Sequence, residues 1–232
     1  NFNQLIPSWQ DITDIIHCAA VSSETQARKN LELVLSANCS SLNALLEKIK
    51  KINNFKNFVF ISTFDVLLAP FNKISTNRQS SIYASTKLLG EEIVRFHANK
   101  SNFNAMIIRP TTLYRDASIN TGKVLNLFYA LALKGEKLII KDSEKVYSFL
   151  SSSELVDFIV DNLDFNVSGQ NPTIRDIIIK GPTDYKLKDL AKKIISILNS
   201  SSEIKIEKNS YNENELKRAN NEQYIRGKIE IK

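Results

Sequence analysis

Glycine is scarce in this chain: six in 232 residues, at 90, 122, 135, 169, 181 and 227, with no two of them three apart. The sequence therefore holds no glycine-rich turn that would let the backbone close on a phosphate group. Cysteine is scarcer still, with only Cys18 and Cys39. There is no CxxC pair, and the two histidines, His17 and His97, stand far apart, so a Cys/His metal site is not expected. Two thiols without a partner motif read as buried apolar residues of a reducing compartment, which suits the cytoplasm. Long apolar runs are missing too. Stretches such as 57–61 and 105–108 are far too short to span a bilayer, and the N-terminal residues lack a basic segment followed by an apolar one. No membrane partner is expected.

Hydrophobic residues make up 43% of the chain and charged residues 24%, enough to bury a core of useful size. The net charge is +6. Lys and Arg are interleaved with Asp and Glu, as in residues 205–217, and form no pure basic block. That pattern reads as a solvated lysine-rich surface and not as a nucleic-acid face. The same charge would suit an anionic nucleotide substrate.

Strand and helix patterns alternate. Residues 14–18 (DIIHC), 58–62 (FVFIS) and 105–109 (AMIIR) are short apolar runs flanked by polar residues, the signature of strands buried on both faces. Between them lie two helical stretches, 27–52 and 82–99. In the first, Leu31, Val34, Leu35, Leu42, Leu45, Leu46 and Ile49 recur at steps of three and four. Ser80 or Ser81 is placed to cap the second. Three strands separated by helices predict an α/β fold, a Rossmann-like parallel sheet with helices on both faces. Beyond Pro110 the reading is helix 122–134, strands 137–141 and 146–150, helix 152–163, strand 174–180, helix 186–199 and a short strand 204–206. The expected division is 1–118 for the sheet domain and 119–232 for a smaller interleaved substrate-binding region, with 146–180 returning partly to the sheet.

The chemistry centres on Tyr83 and Lys87, in SIYASTKLLGEE. Four residues apart at a helix start, they share one face. An ammonium beside a phenol favours the phenolate, so the Tyr83 pKa is expected to fall toward neutrality, allowing proton exchange with a substrate hydroxyl or carbonyl. Spacing alone is weak, since Tyr224 and Lys228 repeat it in a polar tail. Context separates the first copy: about twenty residues upstream, FVFIST closes a strand at Ser62 and Thr63. A hydroxyl at the C-terminal edge of a parallel sheet lies where such folds bind ligands. Thr63 read by itself is equally a cap closing a strand.

DIIHCAA, followed by Asn38, resembles the fourth-strand segment and next helix of the extended short-chain dehydrogenases, the sugar-nucleotide epimerase and dehydratase type. FVFISTFDVL, YASTKLLGEE and IIRPTTLYR resemble the hydroxyl-bearing segment, the Tyr-x-x-x-Lys helix and the Arg-Pro segment of that family, and the likeness runs from about residue 14 to about residue 197. The resemblance implies Thr63, Tyr83 and Lys87 as the catalytic trio. It puts Ala19, Ala20, Asn38, Ile61, Ser62, Pro110 and Thr112, with Tyr83 and Lys87, on an NAD or NADP cofactor. It implies a nucleotide-sugar substrate, epimerase or ketosugar-reductase chemistry, and a homodimer formed through helices 27–52 and 82–99.

Departures from the family pattern sharpen the expectation. The family opens with a strand and a G-x-x-G-x-x-G turn, so roughly 60–70 residues of βαβ structure are expected to be missing ahead of Asn1. A catalytically silent remnant serving as a dimerising or binding module is the alternative reading. Phe64 and Asp65 stand where dehydratases carry two acids, which disfavours a dehydratase. Tyr147, Phe149, Ser151 and Glu154 replace an Arg-x-Phe-x-His-Val-x-Asp segment, and Arg115 stands where glycine is usual.

Overall fold

The computed structural model describes residues 9–68, 81–115, 124–141, 143–164, 172–207 and 225–226. In chain order the elements are β1 (Asp14–His17), α1 (Glu24–Lys29), α2 (Leu31–Leu35), a π turn (Ser36–Ser40), α3 (Ser41–Ile49), β2 (Asn57–Ile61), α4 (Asp65–Leu68), α5 (Ile82–Ser101) and β3 (Asn104–Pro110). There follow β4 (Thr112–Tyr114), α6 (Val124–Leu133), β5 (Leu138–Ile140), β6 (Val146–Ser151), α7 (Ser152–Asp161), β7 (Ile174–Lys180), β8 (Asp184–Lys186), α8 (Leu187–Leu198), β9 (Ile204–Ile206) and β10 (Ile225–Arg226). The chain forms two compact units: Asn1–Pro110 with Phe158–Ile178, and Thr111–Asp157 with Ile179–Lys232.

In the first unit β1, β2 and β3 run parallel, with β7 beside β3. Phe58, Phe60, Ala105 and Ile107 turn to one core with Leu42, Leu46 and Val94, while Val59, Met106 and Ile108 on the other face are fully buried as well. Such two-sided burial is what the continuous apolar runs demanded. A ladder of side chains fixes the register at the strand starts. Asn57 Nδ2 donates to Asp14 Oδ1 (2.6 Å), Asn104 Nδ2 to Asn57 Oδ1 (3.1 Å), and the Thr173 amide to Asn104 Oδ1 (3.0 Å). Polar groups are thus spent at the N-terminal edge of the strands. Among the described residues β1 is the outer strand, leaving Ile16 45% exposed.

The helix expected over 27–52 is corrected to a broken one. It begins earlier, where the Ser23 hydroxyl accepts from the Gln26 amide, and breaks at Asn30. Asn30 leaves helical geometry (φ −147°, ψ 86°), and its side chain accepts from the Leu33 amide at 2.9 Å to start α2. Asparagine caps by this local bond, which competes with helix continuation. Cys39 is buried as expected, but Cys18, beyond the end of β1, is exposed.

In the second unit β4 pairs in parallel with β6, β6 antiparallel with β8, and β5 in parallel with β9. Helices α6 and α8 cover this region through Phe128, Ala132, Leu190, Ala191 and Ile194. Gly181 is demanded by space: a Cβ there would stand 1.9 Å from the Phe149 carbonyl oxygen. Strands β4 and β8, three residues each, and helix α4 carry too little periodicity to read from sequence. Among the described residues no helix is long and apolar enough to cross a membrane.

Candidate active site

The parallel strands deliver three segments to one edge: Cys18–Ala20 after β1, Ser62–Thr63 after β2 and Pro110 at the end of β3. Helix α5 brings Tyr83 and Lys87. Its start is fixed twice. Ser81 Oγ accepts from the Ala84 amide (3.1 Å), and the Glu24 carboxylate accepts from Ser81 Oγ (2.9 Å) and from the Ile82 and Tyr83 amides (3.3 and 3.1 Å). Burial raises the Glu24 carboxyl, but the bonds from Tyr83, Ser81 and Ile82, with the Arg28 charge, outweigh it and leave its pKa below the ordinary value. Glu24 was not anticipated, because nothing local marks a cap that arrives from 57 residues upstream.

Tyr83 and Lys87 share a helix face but not a charge environment. Lys87 is 2% exposed, and its ammonium lies over the Phe60 ring, 4.0 Å from the centroid. Burial lowers its pKa to about 8, opposed by Glu91, Cys18 and Cys39. Tyr83 is pushed up to about 12, first by burial and then by the Asp65 carboxylate. The expected drop in the Tyr83 pKa is therefore corrected. Lys87 turns toward the sheet, so its charge does not offset the desolvation of the phenol.

Thr63 is half-buried, and its Oγ1 accepts from the Asp65 amide at 3.3 Å, so it caps α4 while keeping a hydroxyl hydrogen to donate. Asp65 thus adjoins both Thr63 and Tyr83. Ser62 is 3% exposed; its amide donates to the Ile108 carbonyl (2.7 Å) and its hydroxyl to Glu91 Oε1 (2.5 Å). Glu91, fully buried, also receives Arg109 through Nε (2.9 Å) and a terminal nitrogen (2.5 Å). One carboxylate therefore ties the end of β2 to the end of β3, next to Thr63 and Pro110. The signal for it was present, since Glu91 continues the 83, 87 step of four.

Asn38, expected on the cofactor, is held by the loop that follows β1. Its Oδ1 accepts from the Val21 amide (2.7 Å), and its Nδ2 donates to the Val21 carbonyl (3.2 Å) and Thr86 Oγ1 (3.0 Å). With both amide hydrogens committed, it braces the loop beyond Ala19 and Ala20, which are themselves exposed. Ile61 is half-buried and Pro110 buried, its carbonyl accepting from the Phe64 amide (3.0 Å). Thr112 belongs to β4 in the second unit, opposite Phe149. The Tyr224–Lys228 repeat lies outside the described residues.

His17 completes the surroundings of Lys87. It stacks on Phe58 and Phe60, with centroids 6.0 and 5.8 Å apart, and its Nδ1 has no hydrogen-bond partner. Burial first, and the Lys87 charge second, lower its pKa to about 4.

The arrangement suits a dinucleotide and a sugar alcohol or ketone. Among the described residues no hydrogen bond engages the Tyr83 hydroxyl or the Lys87 ammonium, so both are available to oxygen atoms of a ligand. A buried cation at a parallel-sheet edge fits the ribose hydroxyls of a nicotinamide cofactor.

Comparison with known proteins gives the family. Residues 2–177 match the NAD dependent epimerase/dehydratase family, and the chain belongs to it. Among curated proteins it is similar to a dTDP-4-dehydro-6-deoxy-D-allose reductase of Streptomyces bikiniensis, with 23% identity over 221 residues, covering 89% of this chain and 64% of that protein. Among solved structures it is similar to the UDP-glucuronic acid 4-epimerase of Bacillus cereus in complex with NAD (TM-score 0.73, 21% identity, 90% of this chain and 66% of that one). The UDP-glucose 4-epimerase of Thermotoga maritima with UDP-glucose gives a TM-score of 0.69 at 21% identity, over 84% of this chain and 64% of that one. The chain spans a little under two thirds of the length of these relatives.

Proposed function

We propose that the chain is an NAD(P)-dependent epimerase or ketosugar reductase acting on a nucleotide sugar. The observation that carries the reading is the Tyr83 hydroxyl and the Lys87 ammonium, which make no hydrogen bond among the described residues, beside Thr63 at the C-terminal edge of a parallel sheet. The bound cofactor would supply or accept the hydride. Tyr83 exchanges the proton with the substrate oxygen, Thr63 donates a hydrogen bond to that oxygen, and Lys87 holds the ribose hydroxyls. Ala19, Ala20, Ile61, Ser62 and Pro110 offer the backbone surface on which the cofactor lies, and Thr112 begins the substrate side. The unit of residues 1–110 and 158–178 serves the cofactor, and that of 111–157 and 179–232 the sugar.

Burial and the Asp65 carboxylate by themselves keep Tyr83 a phenol, the form that reduction of a ketosugar uses. A phenol held at about pKa 12 keeps its proton and gives it to the carbonyl oxygen as hydride reaches the carbon. The name of the curated reductase supports that choice, and the names of the solved epimerases support the other. The test is oxidation of NADH or NADPH by the chain with a 4-keto nucleotide sugar, beside interconversion of UDP-glucose and UDP-galactose. Tyr83→Phe should lower the supported activity by ~10²–10⁴-fold. Turnover that survives Tyr83→Phe and Thr63→Ala unchanged refutes the assignment.

A homodimer is proposed through α2 and α5. Leu31, Leu33 and Leu35 on the first and Leu89 and Phe96 on the second are 40–58% exposed, an apolar surface that a second copy would cover. Light scattering of the wild type and of Phe96→Glu tests it: a dimer that becomes a monomer supports it, and a monomeric wild type refutes it.

A further inference from the structure

Phe60 is a buried ring that faces a charged side chain, an unusual neighbour for it. It is 1% exposed, yet three residues from two elements press on its ring. His17 from β1 stacks on it at 5.8 Å and 23°. Gly90 from α5 is so close that a Cβ there would meet Phe60 Cζ at 2.7 Å. The Lys87 ammonium sits 4.0 Å from its centroid. The ring is thereby immobilised, with one face presented to the cation. A leucine would fill the strand position as a hydrophobe, but it has no such face. Gly90, one turn beyond Lys87, is what lets the helix come near enough for the ammonium to reach the ring.

We propose that Phe60 is the positioning residue of Lys87: its immobilised ring is the seat that fixes the ammonium, and its electron-rich face stands in for the water that burial removes. The proposal rests on the reading of Lys87 as the cofactor lysine for its functional meaning, and on geometry alone for its existence. Cations within about 6 Å of a ring centroid are attracted by its quadrupole, most strongly when desolvated. Around Lys87 the remaining titratable or charged groups are His17 and Cys18 from β1 and its end, Cys39 from the π turn and Glu91 from α5. His17 stays neutral, both thiols are raised by burial, and Glu91 is committed to Ser62 and Arg109. The ring is thus the group in direct contact with the cation. Removing its negative face should make the charged lysine harder to keep.

The experiment follows the Lys87 Cε resonance through a pH titration of the full chain labelled with ¹³C-lysine, assigned by its absence in Lys87→Arg. Phe60 is replaced by leucine and, site-specifically, by 2-fluoro- and 2,6-difluorophenylalanine, which drain the ring face and leave Cζ and Cε1, the two ring atoms nearest Gly90, unsubstituted. The expected result is a stepwise fall of the Lys87 midpoint with fluorination, reaching about one pH unit in Phe60→Leu. If Phe60→Leu does not fold, the fluorinated pair decides alone. A midpoint unchanged across the fluorinated series overturns the proposal and leaves Phe60 a packing residue. NAD affinity in Lys87→Met separates the two readings: equal affinity there ends the cofactor role of Lys87, while the titration still decides the seat.

Discussion

Replacing Glu91 by alanine should be among the most damaging single changes in the first unit. The side chain is fully buried, and its two oxygens take Ser62 Oγ and both contacts from Arg109. Losing one member of a buried ion pair costs about 3–5 kcal/mol, because the partner charge stays behind. Asp176 Oδ2 lies 3.9 Å from Arg109, but that carboxylate is 43% exposed and already holds Arg95 at 2.7 Å, so it offsets little. The stranded Ser62 hydroxyl adds about 1 kcal/mol. A loss of about 4 kcal/mol is a large share of the ~5–15 kcal/mol that holds a domain together. Glu91→Gln keeps the volume and an acceptor, so about half that loss is expected. The assay is urea unfolding followed by circular dichroism, with the slope of the transition compared between variants. Glu91→Ala within about 1 kcal/mol of the wild type would refute the reasoning. So would Glu91→Gln and Glu91→Ala losing equal amounts.

Stability should also depend on pH through His17. Its folded pKa, about 4, lies below the ordinary 6.5, so between these values the unfolded chain binds a proton that the folded chain refuses. Stability is then full above about pH 6.5 and falls as pH drops toward 4, by up to about 3 kcal/mol; a His17→Phe variant unfolded at a series of pH values should lose that part of the slope. Gly90→Ala gains up to ~1 kcal/mol of helix propensity but forces Phe60 aside, and overpacking costs ~1–3 kcal/mol, so a net loss in melting temperature is expected. Gly181→Ala places a methyl 1.9 Å from a backbone oxygen, which no side-chain rotation relieves, and thermal melts should show a larger loss than for Gly90→Ala.

The sheet was legible because burial on both faces leaves continuous apolar runs, and β1, β2 and β3 fall within a residue or so of the expected 14–18, 58–62 and 105–109. Helix α5 was legible from its serine cap and periodicity. The break at Asn30 was hidden by the apolar stripe running through it, although an asparagine before Leu31 is itself a start signal. In the site, the pairing of Tyr83 with Lys87 could be read from spacing, but its electrostatics could not. A four-residue step puts two side chains on one face without saying where a long lysine stem bends. Here it bends to Phe60, and Tyr83 meets Asp65 instead. Glu24 reaches the start of α5 from 57 residues upstream, which no local pattern announces; Glu91 continues the 83, 87 step, but its partners Ser62 and Arg109 cannot be read from that step.

The most direct test of the central claim is a calorimetric titration of the chain with NAD and NADP, beside Lys87→Met. The account predicts weak binding at one site on the wild type, because this sequence holds no glycine-rich turn to cradle the pyrophosphate, and binding at least about tenfold weaker still in the variant, as loss of a charge-assisted contact requires. A folded wild type that takes up neither cofactor, or a variant that binds equally well, would contradict it.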